Sequence, residues 1–241
     1  MANKTLNKCC ACGSSSLETI LELPDLPLTG IYYPSKELSI KSPKYHQGLN
    51  ICKNCGHGQL KMAIDPTIVY DNTYTHRSST SSISRGGNDF FAEQLKISES
   101  LGKEKVLLEV GCNDGYLLKK LSGEIKFGYG IDPIWINHPP INKDNYKIIG
   151  GYCSDLPKII DKKIKPNLII SSHTFEHTVN LFDDLSTLIE IADKDCIFHI
   201  EMPSLETLIR LRRYDQVFHQ HIQYISENSI RNLVKRLKCK L

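Results

Sequence analysis

No apolar run in the 241-residue sequence approaches the ~18 residues that a membrane-spanning helix needs, which excludes a bilayer span. Nor does an apolar stretch follow the lysines of the opening MANKTLNKCC, so a secretory signal is excluded as well. Charge of one sign is scarce: 30 Lys and Arg stand against 27 Asp and Glu, a net +3, far short of the basic bias of nucleic-acid readers. The excess sits in residues 206–241, where five Arg and three Lys face Glu206, Asp215 and Glu227, a local +5 that leaves −2 elsewhere. That segment reads as a solvated helix face. At 40% hydrophobic residues the chain is too apolar to be disordered, and its length allows one large domain plus a small one. A soluble protein of the cytosol is expected.

Cysteine, by contrast, is plentiful and uneven. Five of the nine fall in the first 55 residues: Cys9, Cys10, Cys12, Cys52 and Cys55. In a reducing compartment such clustering signals metal rather than disulfides. Two C-x-x-C turns, each followed by a glycine (Gly13 and Gly56), supply the four sulfurs that a structural zinc prefers. The expected ligands are Cys9, Cys12, Cys52 and Cys55. Cys10 can replace Cys9 if the turn is read differently, and His57 is close enough to substitute. Residues 23–47, rich in Pro, Tyr and Ser, offer little core, so the ion would supply much of the folding free energy. Tyr32, Tyr33 and Pro34 are read as packing beside the zinc. A closed four-sulfur site leaves no position for substrate, which makes its role structural.

From Lys105 the texture changes. KVLLEVG suits a buried parallel strand, Gly111-Cys112-Asn113-Asp114-Gly115 a tight turn, and YLLKKLSG an amphipathic helix stopped by Gly123. FGYGIDP is the next strand, with Asp132 at its end. KIIGGYC, NLIISSH and CIFHIEMP follow as strands, interleaved with helices at SDLPKII and LFDDLSTLIEIA. This alternation predicts an α/β, Rossmann-like fold whose parallel sheet is covered on both faces and binds ligand beyond the carboxyl ends of its strands. The turn is G-x-x-x-G and lacks the G-x-G-x-x-G phosphate fingerprint, so a dinucleotide is disfavoured. Glu109 before the turn and Asp132 after the second strand suit the free hydroxyls of a nucleoside, as in S-adenosylmethionine. The competing reading for both acids is turn or cap chemistry.

These residues resemble the sugar C-methyltransferases that act on nucleotide-linked deoxysugars. The matching stretches run in the family's order from residue 9 to about 226: CCACG, ICKNCGHGQL, YDNTYTHRSSTS, LLEVGCNDGYLL, GYGIDP, IISSHTFEHTVNLFDDL, EMPSLETL and FHQHIQYIS. The resemblance implies a zinc-binding module (1–70), a linker or substrate lid with a helix (71–100) and a class I methyltransferase domain that binds S-adenosylmethionine (101–241). It also implies roles. Gly111, Asn113, Asp114 and Gly115 would form the cofactor loop, Asp132 would hold the ribose and His173 would line the cofactor pocket. His177 would face substrate, His221 would be the base, and Tyr74 would contact substrate, with Tyr224 a weaker pocket candidate. Tyr70, Tyr74 and the SSTSSIS run read either as that lid or, from composition alone, as a polar linker.

Three departures from the family stand out. Phe218-His219-Gln220-His221 replaces Tyr-His-Glu-His, so the carboxylate that tunes the histidine's basicity and the phenol that could reach a sugar oxygen are both missing. His76 stands where a second aromatic is often found. The family also continues beyond RNLVKRLKCKL into two more strands and a C-terminal domain. A sheet ending at its fifth strand would expose an unpaired edge, for a second subunit or a partner to cover.

Methyl transfer is an in-line displacement at a sulfonium, in which the protein aligns the acceptor and removes a proton. Carbon methylation beside a ketone needs an enolate, hence a base and an oxyanion donor. Oxygen methylation needs one histidine. The expected function is methylation of a nucleotide-linked sugar or related surface-polysaccharide precursor, with a histidine as base and no nucleic-acid partner. The alternatives are O-methylation of a hydroxyl or phosphoryl-type group, and a catalytically degenerate binding member of the family.

Overall fold

The first cysteine knuckle leads into a long antiparallel hairpin. After β1 (Lys4–Thr5), strand β2 (Leu17–Pro27) pairs with β3 (Lys44–Cys52), with register shifts between Thr19 and Leu21 and between Leu23 and Leu26. The connection carries a short helix, α1 (Lys36–Ile40), capped by the Ser35 hydroxyl, which accepts from Leu38 N. β2 is largely solvent-facing, as its polar composition requires. Tyr32 is 92% exposed and Tyr33 is also exposed, so the expected packing of these residues beside the zinc does not occur. β4 (Gly58–Leu60) continues the sheet, β5 (Met62–Ala63) pairs with β1, and α2 (Pro66–Val69) follows. The computed structural model describes residues 3–69, 75–161 and 164–241; Tyr70 and Tyr74 lie outside them.

Beyond the linker, α3 (Ser82–Ile97) begins at Ser81, whose side chain accepts from Ser84 N, and buries Phe91, Ala92 and Leu95. The six-stranded sheet then builds as the alternation predicts: β6 (Gly102–Val110), α4 (Tyr116–Leu121), β7 (Ile125–Asp132), β8 (Ile141–Asn142), β9 (Tyr146–Gly150), α5 (Leu156–Ile159), β10 (Leu168–Ser172), α6 (Leu181–Ile191) and β11 (Ile197–Glu201). Its order is β11-β10-β6-β7-β9-β8, parallel except for the β8–β9 pair. The second half of central β6, Val106–Val110, and most of β10 are buried, as expected of strands covered on both faces. Leu107, Leu117, Leu118, Leu121, Ile125, Ile148, Leu168 and Ile170 form the core with the buried face of α3.

The chain then returns to its beginning. α7 (Leu205–Arg210), β12 (Gln223–Tyr224) and α8 (Glu227–Arg236) follow, and β12 pairs antiparallel with β4 to give the sheet β12-β4-β3-β2. Two compact units result. One comprises Met1–Thr75, Phe175–Phe182 and Pro203–Leu241; the other comprises His76–Thr174 and Asp183–Met202. The carboxyl-terminal segment therefore packs with the cysteine module. In the first unit Leu49, Leu60, Leu205 and Tyr224 form one core cluster and Leu6, Ala63 and Ile222 another.

Candidate methyltransferase and metal sites

The two knuckles place their sulfurs as a tetrahedral ion requires. Cys9 Sγ lies 3.6 Å from Cys55 Sγ and Cys12 Sγ lies 3.6 Å from Cys52 Sγ, all four within 4.8 Å of one another. A zinc with ~2.3 Å bonds to sulfur implies edges of about 3.8 Å, so the donor set fits. Gly13 (φ 79°) and Gly56 (φ 69°) close the turns, with Gly13 N donating to Cys9 O and Gly56 N to Cys52 O. Burial pushes the Cys9 thiol up, and the Cys55 thiol up to about 12, so thiolates here need a cation beside them. Cys10 points elsewhere: its sulfur reaches the Val179 carbonyl at 3.8 Å and its amide donates to Gln59. Neither Cys10 nor His57 belongs to the four-sulfur cluster. His57 is fully buried, with Nε2 2.8 Å from Gln223 Oε1, and burial lowers its pKa to about 4.

In the second unit the glycine-rich turn follows β6. Gly111 (φ 74°) and Gly115 (φ 77°) adopt the left-handed region; a Cβ would strike the Thr174 side chain at the first and Ile148 at the second. Asp132, at the end of β7, accepts from Asn113 N (2.9 Å) and Ile134 N (3.0 Å), so the cap chemistry weighed from sequence is present. Its burial raises its pKa. Glu109 is 4% exposed. Burial, reinforced by the charges of Asp132 and Asp114, pushes its carboxyl up to about 8, and among the described residues its Oε2 has no hydrogen-bond partner. Among the described residues Asp114 Oδ1 is likewise without one.

The linker clasps this turn. Ser78 N donates to Asn113 Oδ1 at 3.0 Å, and the backbone amide and hydroxyl of Ser79 both donate to Asp114 Oδ2. Trp135 Nε1 donates to Asn113 O at 2.7 Å, a contact that nothing in the sequence pattern announced. His173 (φ 50°) is exposed at the end of β10, its amide donating to Glu201 O. Buried acceptors lacking partners, beside a turn only glycine can make, fit a nucleoside with hydroxyls to donate. When bound, S-adenosylmethionine supplies an activated methyl on its sulfonium.

His177 and His221 come together in the first unit, with ring centroids 5.0 Å apart. The Phe218 ring lies tilted against that of His221, with centroids 4.2 Å apart. His177 Nδ1 donates to the Gln220 carbonyl at 2.8 Å. His219 is buried, edge-on to Tyr45, and burial lowers its pKa. Tyr224 is core: buried at 2%, it donates to Gln216 O at 3.1 Å. The predicted substrate contact Tyr74 falls outside the described residues.

The parallel sheet, with a glycine turn and an acidic residue at consecutive strand ends, defines a class I methyltransferase fold that binds S-adenosylmethionine, in a chain that also holds a cysteine module built for zinc. Sequence comparison agrees: residues 85–241 match the family described as "Methyltransferase domain" and residues 9–70 the one described as "Putative zinc binding domain". The chain belongs to the methyltransferase-domain family. It is similar to the C-methyltransferase NovU of Streptomyces niveus, 20% identical over 232 residues, which cover 94% of this chain and 54% of that protein. The chain thus spans about half the length of that relative. Among solved structures it resembles a complex between the Haloferax volcanii Trm112 methyltransferase activator and a methyltransferase (TM-score 0.50, 16% identity, 64% of this chain and 70% of that one). An S-adenosylmethionine-dependent methyltransferase from Archaeoglobus fulgidus gives a TM-score of 0.45 at 21% identity, over 64% and 69% of the two chains. Among the described residues, no helix is long and apolar enough to cross a membrane.

Proposed function

We propose that the chain transfers a methyl group from S-adenosylmethionine to a nucleotide-linked sugar or a related surface-polysaccharide precursor, with His221 as base and His177 facing substrate. The observation that carries this reading is the turn at Gly111–Gly115 between Glu109 and Asp132, whose buried carboxyl groups suit nucleoside hydroxyls. The likeness to a C-methyltransferase across 94% of the chain supports methyl transfer as the reaction. In this reading Gly111, Asn113, Asp114 and Gly115 form the cofactor loop, Asp132 takes the ribose, His173 lines the pocket and Tyr74 contacts the acceptor. Calorimetry with S-adenosylmethionine on the folded chain tests the cofactor, and the absence of binding would overturn the reading. Turnover on a sugar-nucleotide panel tests the acceptor: His221→Ala is expected to lower the rate by at least ~100-fold, the usual contribution of a positioned base.

A specific observation favours a second reading, O-methylation. Phe218 and Gln220 stand where the family has tyrosine and glutamate, so the groups that would support an enolate are missing, whereas a hydroxyl acceptor needs only one histidine. Mass analysis of the product separates the two, because only the carbon-linked methyl survives ether cleavage.

A further inference from the structure

Residues 76–81, just ahead of α3, lie against the glycine-rich turn of their own unit. Their shape is fixed locally. Thr80 N and Ser81 N donate to Arg77 O at 3.1 and 3.3 Å, and the Thr80 hydroxyl donates to the same carbonyl at 3.0 Å. Arg85 Nη1, from the first turn of α3, donates to Ser79 O at 3.0 Å. α3 is itself anchored to the helix into which the glycine turn runs: Asp89 accepts from the Tyr116 hydroxyl at 2.9 Å and pairs with Lys120 at 3.0 Å. Segment, helix and turn are thus tied to one another as a frame.

Within the turn, Asn113 stands at φ 48°, a left-handed conformation that a residue with a side chain keeps only when its surroundings hold it. Its Oδ1 accepts from Ser78 N at 3.0 Å and from Asp114 N at 2.9 Å. Asp114 gives a single carboxylate oxygen, Oδ2, to both the amide and the hydroxyl of Ser79. Two donors on one oxygen fix the rotation of the carboxylate. The other oxygen, Oδ1, is buried and has no partner among the described residues, so it remains an acceptor beside the glycine turn. The surrounding charge is acidic, from Glu109, Asp114 and Asp132, with Arg77 of the same segment acting on Asp132. Such a setting suits a cation, and S-adenosylmethionine carries a sulfonium and an ammonium.

We propose that Ser79 is a positioning residue for the cofactor, which acts through Asp114 to hold the Gly111–Gly115 turn in the conformation that receives S-adenosylmethionine. The inference rests on the reading of Asp114 as part of the cofactor loop. It goes further by giving the linker a task towards the cofactor, independent of any acceptor. The physical basis is preorganisation: a turn already held by Ser78 and Ser79 loses less conformational freedom when the cofactor binds. Removing the Ser79 hydroxyl releases one of the two donors on Asp114 Oδ2, so the carboxylate must be ordered at the expense of binding.

Calorimetry with S-adenosylmethionine on the full chain tests this, with circular dichroism to show that each variant is folded. Ser79 is exposed, so its replacement leaves the core untouched. Ser79→Ala is expected to bind the cofactor about tenfold more weakly, the usual worth of a hydrogen bond to a charged group. Ser79→Thr keeps the hydroxyl and should restore most of that loss. Asp114→Ala should weaken binding too, and in that background Ser79→Ala should add no further loss, because the serine acts through the carboxylate. If Asp114→Ala binds too weakly to measure, the two Ser79 variants decide. Equal affinity in the unaltered chain and Ser79→Ala would overturn the proposal. So would a full further loss in the Asp114→Ala background, which would make Ser79 a direct contact. Absence of binding to the unaltered chain is a different result: it overturns the cofactor reading, and this inference with it.

Discussion

Glu109 shows how a single buried acid can set the pH response of the free chain. Its carboxyl is raised from 4.5 to about 8 because burial penalises the charged form. Between those values the folded state holds a proton that the unfolded state has released. Stability from this group is therefore fully present below pH 4.5 and is lost as pH rises towards 8. The loss is on the order of a few kcal/mol. Glu109→Gln should flatten that limb of a denaturation-midpoint series run from pH 5 to 8.5; an unchanged slope would sink the assignment. Gly111→Ala tests the turn in a different way. It adds a Cβ against Thr174 at a positive φ, which should cost ~2 kcal/mol or more and abolish cofactor binding by calorimetry. Glu109, Gly111 and Asp132 were legible in the sequence because a strand end, a glycine and an acid have fixed spacing. Trp135 was not, since its indole reaches Asn113 O through the folded turn rather than through any pattern.

At the scale of elements, α3 invites a stabilising change. Gly86 and Gly87 sit inside this helix, and a Cβ at either meets nothing within 4 Å. Gly86→Ala should therefore raise stability by roughly 0.5–1 kcal/mol, through the lower entropy of the unfolded chain. Thermal unfolding checks this, and a lower midpoint would refute it. Ser81→Ala removes the cap of the same helix and should cost ~1 kcal/mol by the same measurement. The strands β6, β7, β9, β10 and β11 were legible as short apolar runs, because a parallel sheet buries both faces. The β2–β3 hairpin was not. Its first strand is mostly exposed and carries two register irregularities, so neither apolar content nor strict alternation marked it.

For the whole molecule, the cysteine site and the carboxyl-terminal helix belong to one unit. Arg236 of α8 donates to Ala11 O at 3.1 Å and lies over the Phe182 ring, and Asn228 donates to Cys55 O at 3.0 Å. Removing the metal should therefore loosen α8 as well as the knuckles. Hydrogen exchange on chelated or Cys52→Ser protein is expected to show α8 amides losing protection together with β3 and β4. Protected α8 amides in metal-free protein would refute that coupling. β11 pairs only with β10 among the described residues, which keeps open the proposal that a second subunit or partner strand covers it.

The sequence by itself determined the alternating α/β order, the glycine turn with its flanking acids and the paired cysteine knuckles. Each is set by interactions within a few residues or by a simple burial period. Only the tertiary structure decided that Cys9 rather than Cys10 joins the sulfur cluster, and that residues 175–182 and 203–241 pack with the cysteine module. It alone brought Glu176 and His177 to His221. These choices depend on strand pairing and hydrogen bonds between segments far apart in the chain, where local propensity has no influence and closure of the fold decides which partners meet.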